Sequence, residues 1–234
     1  MCHGGIMRVT GLDAWRRGWV AVILDGAERA GVAARLQVEA VRVYQTLAEA
    51  FDGTEARVVG IDMPLGLLES GWREADRAAR ELLGPRRSSV FAIPPRAVWE
   101  QASYQAASQR CRELTGQGLS IQTWGLRARL LEADRYRGSS PHPLYEVHPE
   151  LAFRAMAGTP LEHSKHTPQG RELRRDLLSR AGIALPSTPR VPVTDTLDAA
   201  AVAWSAWRIA TGRAVVIPAR PQRDELGLQI AIRY

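Results

Sequence analysis

Residues 6–24, IMRVTGLDAWRRGWVAVIL, decide the fold. Residues 6–13 form an apolar run that ends in Asp13, and residues 18–24 form a second, with 14–17 as the turn between them. Apolar runs of this length bounded by turn residues read as buried strands. Residues 32–43, VAARLQVEAVRV, alternate enough to make a third strand, so the chain opens as an antiparallel meander. A short helix is expected at 46–51. RVVGID, residues 57–62, is then a buried strand that stops at Asp62, because Pro64 and Gly66 force the chain out of a sheet.

Further along, the pattern turns helical. Helices are expected at about 70–83, 98–113 and 120–136, with a two-proline loop at 86–97 and a linker at 138–143. LYEVHP, 144–149, reads as a strand whose polar end is Glu146 to His148, with Pro149 opening a helix. A loop at 159–167 holds Lys165, and an amphipathic helix spans 168–181. Thr194 is the expected N-cap of a last long helix, 195–211, closed by Gly212. Short strands are expected at 214–217 and 228–232. The whole reads as one α/β domain, residues 1–234, with a helical insertion at about 70–140. The first seven residues read as an unstructured lead-in, and translation from Met7 is an alternative start.

Composition narrows the class. With 234 residues, 45% hydrophobic and 24% charged, the chain is globular and can bury a real core. No run approaches the ~20 apolar residues that span a bilayer, and no secretory signal stands at the N-terminus. No membrane association is expected. Two cysteines, Cys2 and Cys111, make neither a disulfide framework nor a metal-ligand spacing, so a reducing cytoplasm is expected. Of 31 basic residues, 30 are arginine and one is lysine, Lys165, and the chain has no asparagine. Codon composition explains that skew, so the net charge of +6 is weak evidence for a polyanionic partner. A single surviving lysine nevertheless suggests a site that wants a compact ammonium rather than a planar fork.

The carboxylates carry the functional signal. Asp13 and Asp62 each end an apolar strand, Glu146 and Glu150 flank the end of another, and Asp195 and Asp198 share one face at the start of a helix. Hard divalent cations take oxygen ligands, so a few carboxylates from separate elements suffice to hold them. Taken singly, each acid also has a plain structural explanation, a turn cap for Asp62 or a favourable helix dipole for Asp195 and Asp198. Arg86, Arg87, Ser88 and Ser89 put two guanidiniums and two hydroxyls in one loop, which suits phosphate contacts. His148 is a candidate ligand or proton shuttle, and Lys165 a candidate for neutralising charge on a phosphoryl oxygen. Trp72 and Trp99 flank the basic loop and suit either base stacking or packing. Arg171, Arg174 and Arg175 suit a phosphate-facing or a solvated helix face.

Several blocks in order, GLDAWRRGWVAVIL, GIDMPLGL, PRRSSVFAIPPRAV, TGQGLSIQTWGL, YEVHPELAF, HSKHTPQGR, TDTLDAAAVAWSAWRIATG and GLQIAI, resemble the bacterial and archaeal domain-of-unknown-function family described as predicted nucleases with an RNase H-like fold. The likeness runs from about Met7 to Tyr234. It implies a mixed five-stranded sheet, three antiparallel strands and then two parallel ones, with helices on both faces. It places the first-strand acid at Asp13, the fourth-strand acid at Asp62 and the helix acid at Asp198 or Asp195, with Glu146 in the acidic position of the E-V-H-P-E block. The implied activity is two-metal phosphodiester hydrolysis of RNA or DNA with Mg²⁺ or Mn²⁺. One departure is Trp15, a bulky residue where the family favours small ones after the first-strand acid. Two rival readings stay open. One is a non-catalytic nucleic-acid-binding module on the same fold. The other is a phosphotransferase or phosphohydrolase acting on a small phosphate ester, against which stands the lack of a glycine-rich loop after the first strand.

Overall fold

A computed structural model describes residues 6–29 and 32–234. The expected lead-in falls largely on residues 1–5, with Cys2, and lies outside the described residues. The chain forms two compact units. The first is built from the described residues up to Asp62, from Pro141–Val215 and from Arg233–Tyr234, and the second from Met63–Ser140 and Val216–Ile232.

The first unit holds a five-stranded sheet in the order β3-β2-β1-β4-β5. Its strands are β1 (Met7–Trp15), β2 (Gly18–Arg29), β3 (Val32–Tyr44), β4 (Val58–Asp62) and β5 (Leu144–Glu146). The β1, β2 and β3 pairings are antiparallel, and β4 pairs parallel with both β1 and β5. This is the mixed five-stranded sheet, three antiparallel strands and then two parallel ones, expected from the sequence. The first hairpin is tighter than expected, because Ala14 pairs with Trp19 and Trp15 with Gly18, leaving only Arg16 and Arg17 in the turn. Helix α1 (Leu47–Asp52) is capped by the Thr46 hydroxyl, which accepts from the Glu49 amide.

Three helices follow β5 in this unit: α7 (Pro149–Ala157), α8 (Pro168–Arg180) and α9 (Val193–Ala210). Pro149 stands at the first turn of α7, where its missing N–H costs nothing. The cap of helix α9 stands two residues before the expected Thr194. Pro192 is the capping residue, its carbonyl accepts from the Asp195 and Thr196 amides, and the Thr194 hydroxyl turns to Asp195 Oδ1 instead.

Helix α9 lies on β1, β4 and β2, flanked by α7 and α8. Its residues Ala199, Ala200, Ala201, Ala203 and Ala206 are fully buried in the main core with Val9, Val20, Val22 and Phe153. The fit depends on a missing side chain. A Cβ at Gly11 would stand 2.1 Å from the Ala203 nitrogen and 2.3 Å from the Ala199 oxygen. Gly60, paired with Gly11 across the two parallel strands, faces Val202 of the same helix.

The second unit is mostly helical: α2 (Glu74–Leu83), a 3-10 turn (Gly84–Ser89), α3 (Arg96–Trp99), α4 (Tyr104–Thr115), α5 (Ile121–Gly125) and α6 (Arg127–Arg135). A two-stranded sheet, β6 (Val216–Arg223) with β7 (Gln229–Arg233), belongs with it. The expected helix at 98–113 is broken, since Ser103 accepts from the Ala106 amide and starts α4 anew. The helix expected at 120–136 is likewise two helices, α5 and α6, meeting at Leu126. Val98, Ala107, Cys111 and Leu119 form a small core there, with Trp72 and Trp124 packed on it. Trp99 is fully buried and its indole N–H donates to the Pro94 carbonyl at 3.0 Å, so it packs rather than stacks on bases.

The seating of α9 is testable. Gly11→Ala forces backbone apart in a filled core and is expected to cost about 2–3 kcal/mol in denaturant unfolding. Gly125→Ala, with open space around the added methyl, is expected to be neutral or to stabilise by up to about 1 kcal/mol. Equal stability of the two variants would contradict the close contact.

Candidate functional site

Register builds the site. Asp13 and Asp62 are direct neighbours across the β1–β4 parallel pair, at the carboxyl ends of both strands. Side chains alternate along a strand, so Asp13 shares a face with Gly11, and Asp62 with Gly60. That is the face on which α9 sits, and α9 brings Asp198, the residue before Ala199, to the same place. Asp13 is 7% exposed and Asp198 1%. Asp195, one turn earlier, is only partly buried and accepts from the Thr194 hydroxyl at 3.1 Å.

Three acids so close, Asp13 and Asp198 buried and Asp62 half-buried, do not all ionise readily. Burial, with Asp62 and Asp198 beside it, pushes Asp13 well above the usual carboxylate range. Burial and Asp198 push Asp62 up to about 6, against the opposing pull of His148, Lys165 and a hydrogen bond from the Asp13 carboxyl. Asp195 is also raised, mainly by burial. Lys165 is the countercharge. Its Nζ donates to Asp198 Oδ2 at 2.5 Å. Burial alone would lower its pKa, but Asp198, Asp62 and Asp13 outweigh that and raise it. The other oxygen of Asp198, Oδ1, is buried and accepts no hydrogen bond.

The segment carrying Lys165 is held on both sides. The Thr167 hydroxyl donates to the Ser164 carbonyl at 2.8 Å and accepts from the Gly170 amide at 3.1 Å. A Cβ at Gly170 would meet the Ser164 oxygen at 1.9 Å, so only glycine lets α8 start this close to the loop. Arg174, fully buried, donates to the carbonyls of His163 and Gly170 and pairs with Glu150 at 2.5 Å. Arg174 is thus an internal brace, unlike Arg175, which is exposed. Sequence patterns do not reveal this brace, because Glu150 and Arg174 sit on different helices. His166, whose charge is felt by Asp195, was also not singled out, although it adjoins Lys165 in the same SKHT block.

The remaining candidates lie elsewhere. Glu146 is buried and pairs with Ile61, one residue short of Asp62, so strand alternation puts it on Ile61's side of the sheet. His148 follows at the start of α7, close enough to influence Asp62. Arg86, Arg87, Ser88 and Ser89 lie in the 3-10 turn of the second unit, with Arg87 and Ser88 exposed and the Ser89 hydroxyl donating to the Arg86 carbonyl. Trp15, two residues beyond Asp13 and on its face, packs against the main core, and the Arg17 guanidinium lies 5.7 Å from its ring centre.

The donor set suits a hard divalent cation: carboxylates only, from three elements, one with a buried oxygen that has no partner. Among the described residues, no three His, Cys, Asp or Glu side chains stand already arranged to hold a metal ion. Lys165 engages the second oxygen of Asp198 in that arrangement.

Comparison with known proteins agrees on the family. The chain belongs to the family described as "Protein of unknown function (DUF429)", which it matches over residues 11–223. None of the curated proteins matches it. Among solved structures it is similar to Thermus thermophilus RuvC, with 12% identity and a TM-score of 0.41, covering 88% of this chain and 97% of that one. It is also similar to T. thermophilus RuvC in complex with Holliday junction substrate, with 15% identity, a TM-score of 0.38 and the same coverage. Among the described residues, no helix is long and apolar enough to cross a membrane.

The buried acids set a pH dependence. Between its ordinary value of 3.8 and about 6, Asp62 binds a proton in the folded chain more than in the unfolded one. Stability contributed by this group is therefore full below about pH 4 and is lost as pH rises towards 6. Metal-free protein is expected to show this decline in denaturant titrations, and Asp62→Asn to flatten it and be the more stable at pH ~7. A wild-type profile as flat as the variant's would contradict the burial of Asp62.

Proposed function

We propose that this chain is a divalent-metal-dependent phosphodiester hydrolase that acts on nucleic acid. One observation carries the reading: Asp13, Asp62 and Asp198 reach one face of the sheet from three separate elements, and a buried Asp198 oxygen has no partner there. Crowding three carboxylates together, two of them buried, costs stability, and such arrangements concentrate at functional sites.

In this reading Asp13, Asp62 and Asp198 hold Mg²⁺ or Mn²⁺. Such an ion would make a water nucleophilic near neutral pH and would stabilise charge on the departing oxygen. Lys165 keeps a positive charge beside the carboxylates, where a phosphate oxygen gains from it. His148, close to Asp62, moves a proton to or from the reacting water. The Gly84–Ser89 turn offers phosphate contacts of its own through Arg86, Arg87, Ser88 and Ser89.

A non-catalytic nucleic-acid-binding module is the second reading, favoured by Lys165 already neutralising Asp198. Incubation with labelled RNA, DNA and hybrid substrates in Mg²⁺, Mn²⁺ or EDTA separates the two. Metal-dependent cleavage is expected, falling about 100-fold or more in Asp13→Asn and in Asp62→Asn. Salt-sensitive binding without turnover, or cleavage undiminished in the double variant, would overturn the proposal.

A further inference from the structure

We infer that Lys165 is a built-in cation standing in one of the two cation positions, so that the site takes a single divalent ion between Asp13, Asp62 and Oδ1 of Asp198. The inference rests on the metal-binding reading above and fixes its stoichiometry.

The two oxygens of Asp198 have different surroundings. Oδ2 receives the Lys165 ammonium at 2.5 Å, while Oδ1 is buried and has no hydrogen-bond partner. Asp198 itself is 1% exposed, so water cannot freely serve that oxygen. One oxygen is therefore satisfied by the protein and the other is left for a ligand.

The lysine is built in rather than wandering. Its neighbours Ser164, Thr167 and Gly170 are bonded to one another, and the flanking His163 carbonyl is held by the buried Arg174–Glu150 pair. In a chain where every other basic residue is arginine, this position keeps the one side chain whose charge is a compact point, as a metal ion's is. A guanidinium would spread its charge over a plane and demand a fork of acceptors.

Charge and donor count point the same way. Asp13, Asp62 and Asp198 carry three negative charges when ionised, which one ammonium and one divalent ion balance. Two divalent ions beside the ammonium would leave two positive charges in excess. A second ion needs an oxygen of its own, and the one that Asp198 could offer it, Oδ2, already receives the Lys165 ammonium. The Lys165 ammonium then takes over the charge-stabilising part of the second ion towards a phosphate oxygen.

Counting bound Mn²⁺ on the full chain tests this, by equilibrium dialysis with free-ion EPR, with no activity assay. Wild type is expected to bind one Mn²⁺. Lys165→Met frees Asp198 Oδ2 and is expected to bind two, while Lys165→Arg, which keeps the charge, stays at one. Circular dichroism confirms folding of each variant. Two ions on the wild type, or one on a folded Lys165→Met, would overturn the inference while leaving the metal site standing. No ion on any form would defeat the metal reading itself. Should Lys165→Met not fold, the wild-type count alone decides between one and two.

Discussion

The close approach of α9 to the paired strands β1 and β4 governs the rest of the structure. A hydrogen in place of a side chain at Gly11 lets the helix backbone at Ala199 and Ala203 come down onto β1. An alanine face on the helix completes the fit with side chains that bring no bulk and little entropy to lose. From that contact the site follows by counting. Two residues beyond each glycine on the same faces stand Asp13 and Asp62, and one residue before Ala199 stands Asp198. The packing that makes the core also fixes the distance between three acids remote in sequence.

Such an arrangement works against stability. Desolvation and mutual repulsion raise Asp13 and Asp62, and apolar residues in their places would be more favourable. The chain offsets part of this with one ammonium on Asp198 and invests a second buried pair, Glu150 with Arg174, in holding the segment that delivers it.

Much of the fold was legible in the sequence, because apolar runs, turn residues and Pro149 act locally. The strand-terminal positions of Asp13 and Asp62 were legible for the same reason. Most of what could not be read depends on contacts between distant residues. A three-residue strand such as β5 has no pattern long enough to fix its register, so the side of the sheet taken by Glu146 emerges only from its pairing with Ile61. The different burial of Asp195, half-buried, and Asp198, fully buried, likewise follows from the seating of α9. Arg174 looks like any basic helix residue until Glu150 is found opposite it, and the helix breaks at Ser103 and Leu126 reflect local capping inside otherwise helical patterns.

The central claim is that three carboxylates from β1, β4 and α9 share one cation. Anomalous scattering from a crystal of the wild-type protein soaked in Mn²⁺ addresses it most directly. One peak is expected at about 2.0–2.3 Å from oxygens of Asp13, Asp62 and Asp198, with Lys165 still on the far oxygen of Asp198. Ordered carboxylates with no peak among them, or a peak bound to other residues alone, would contradict it.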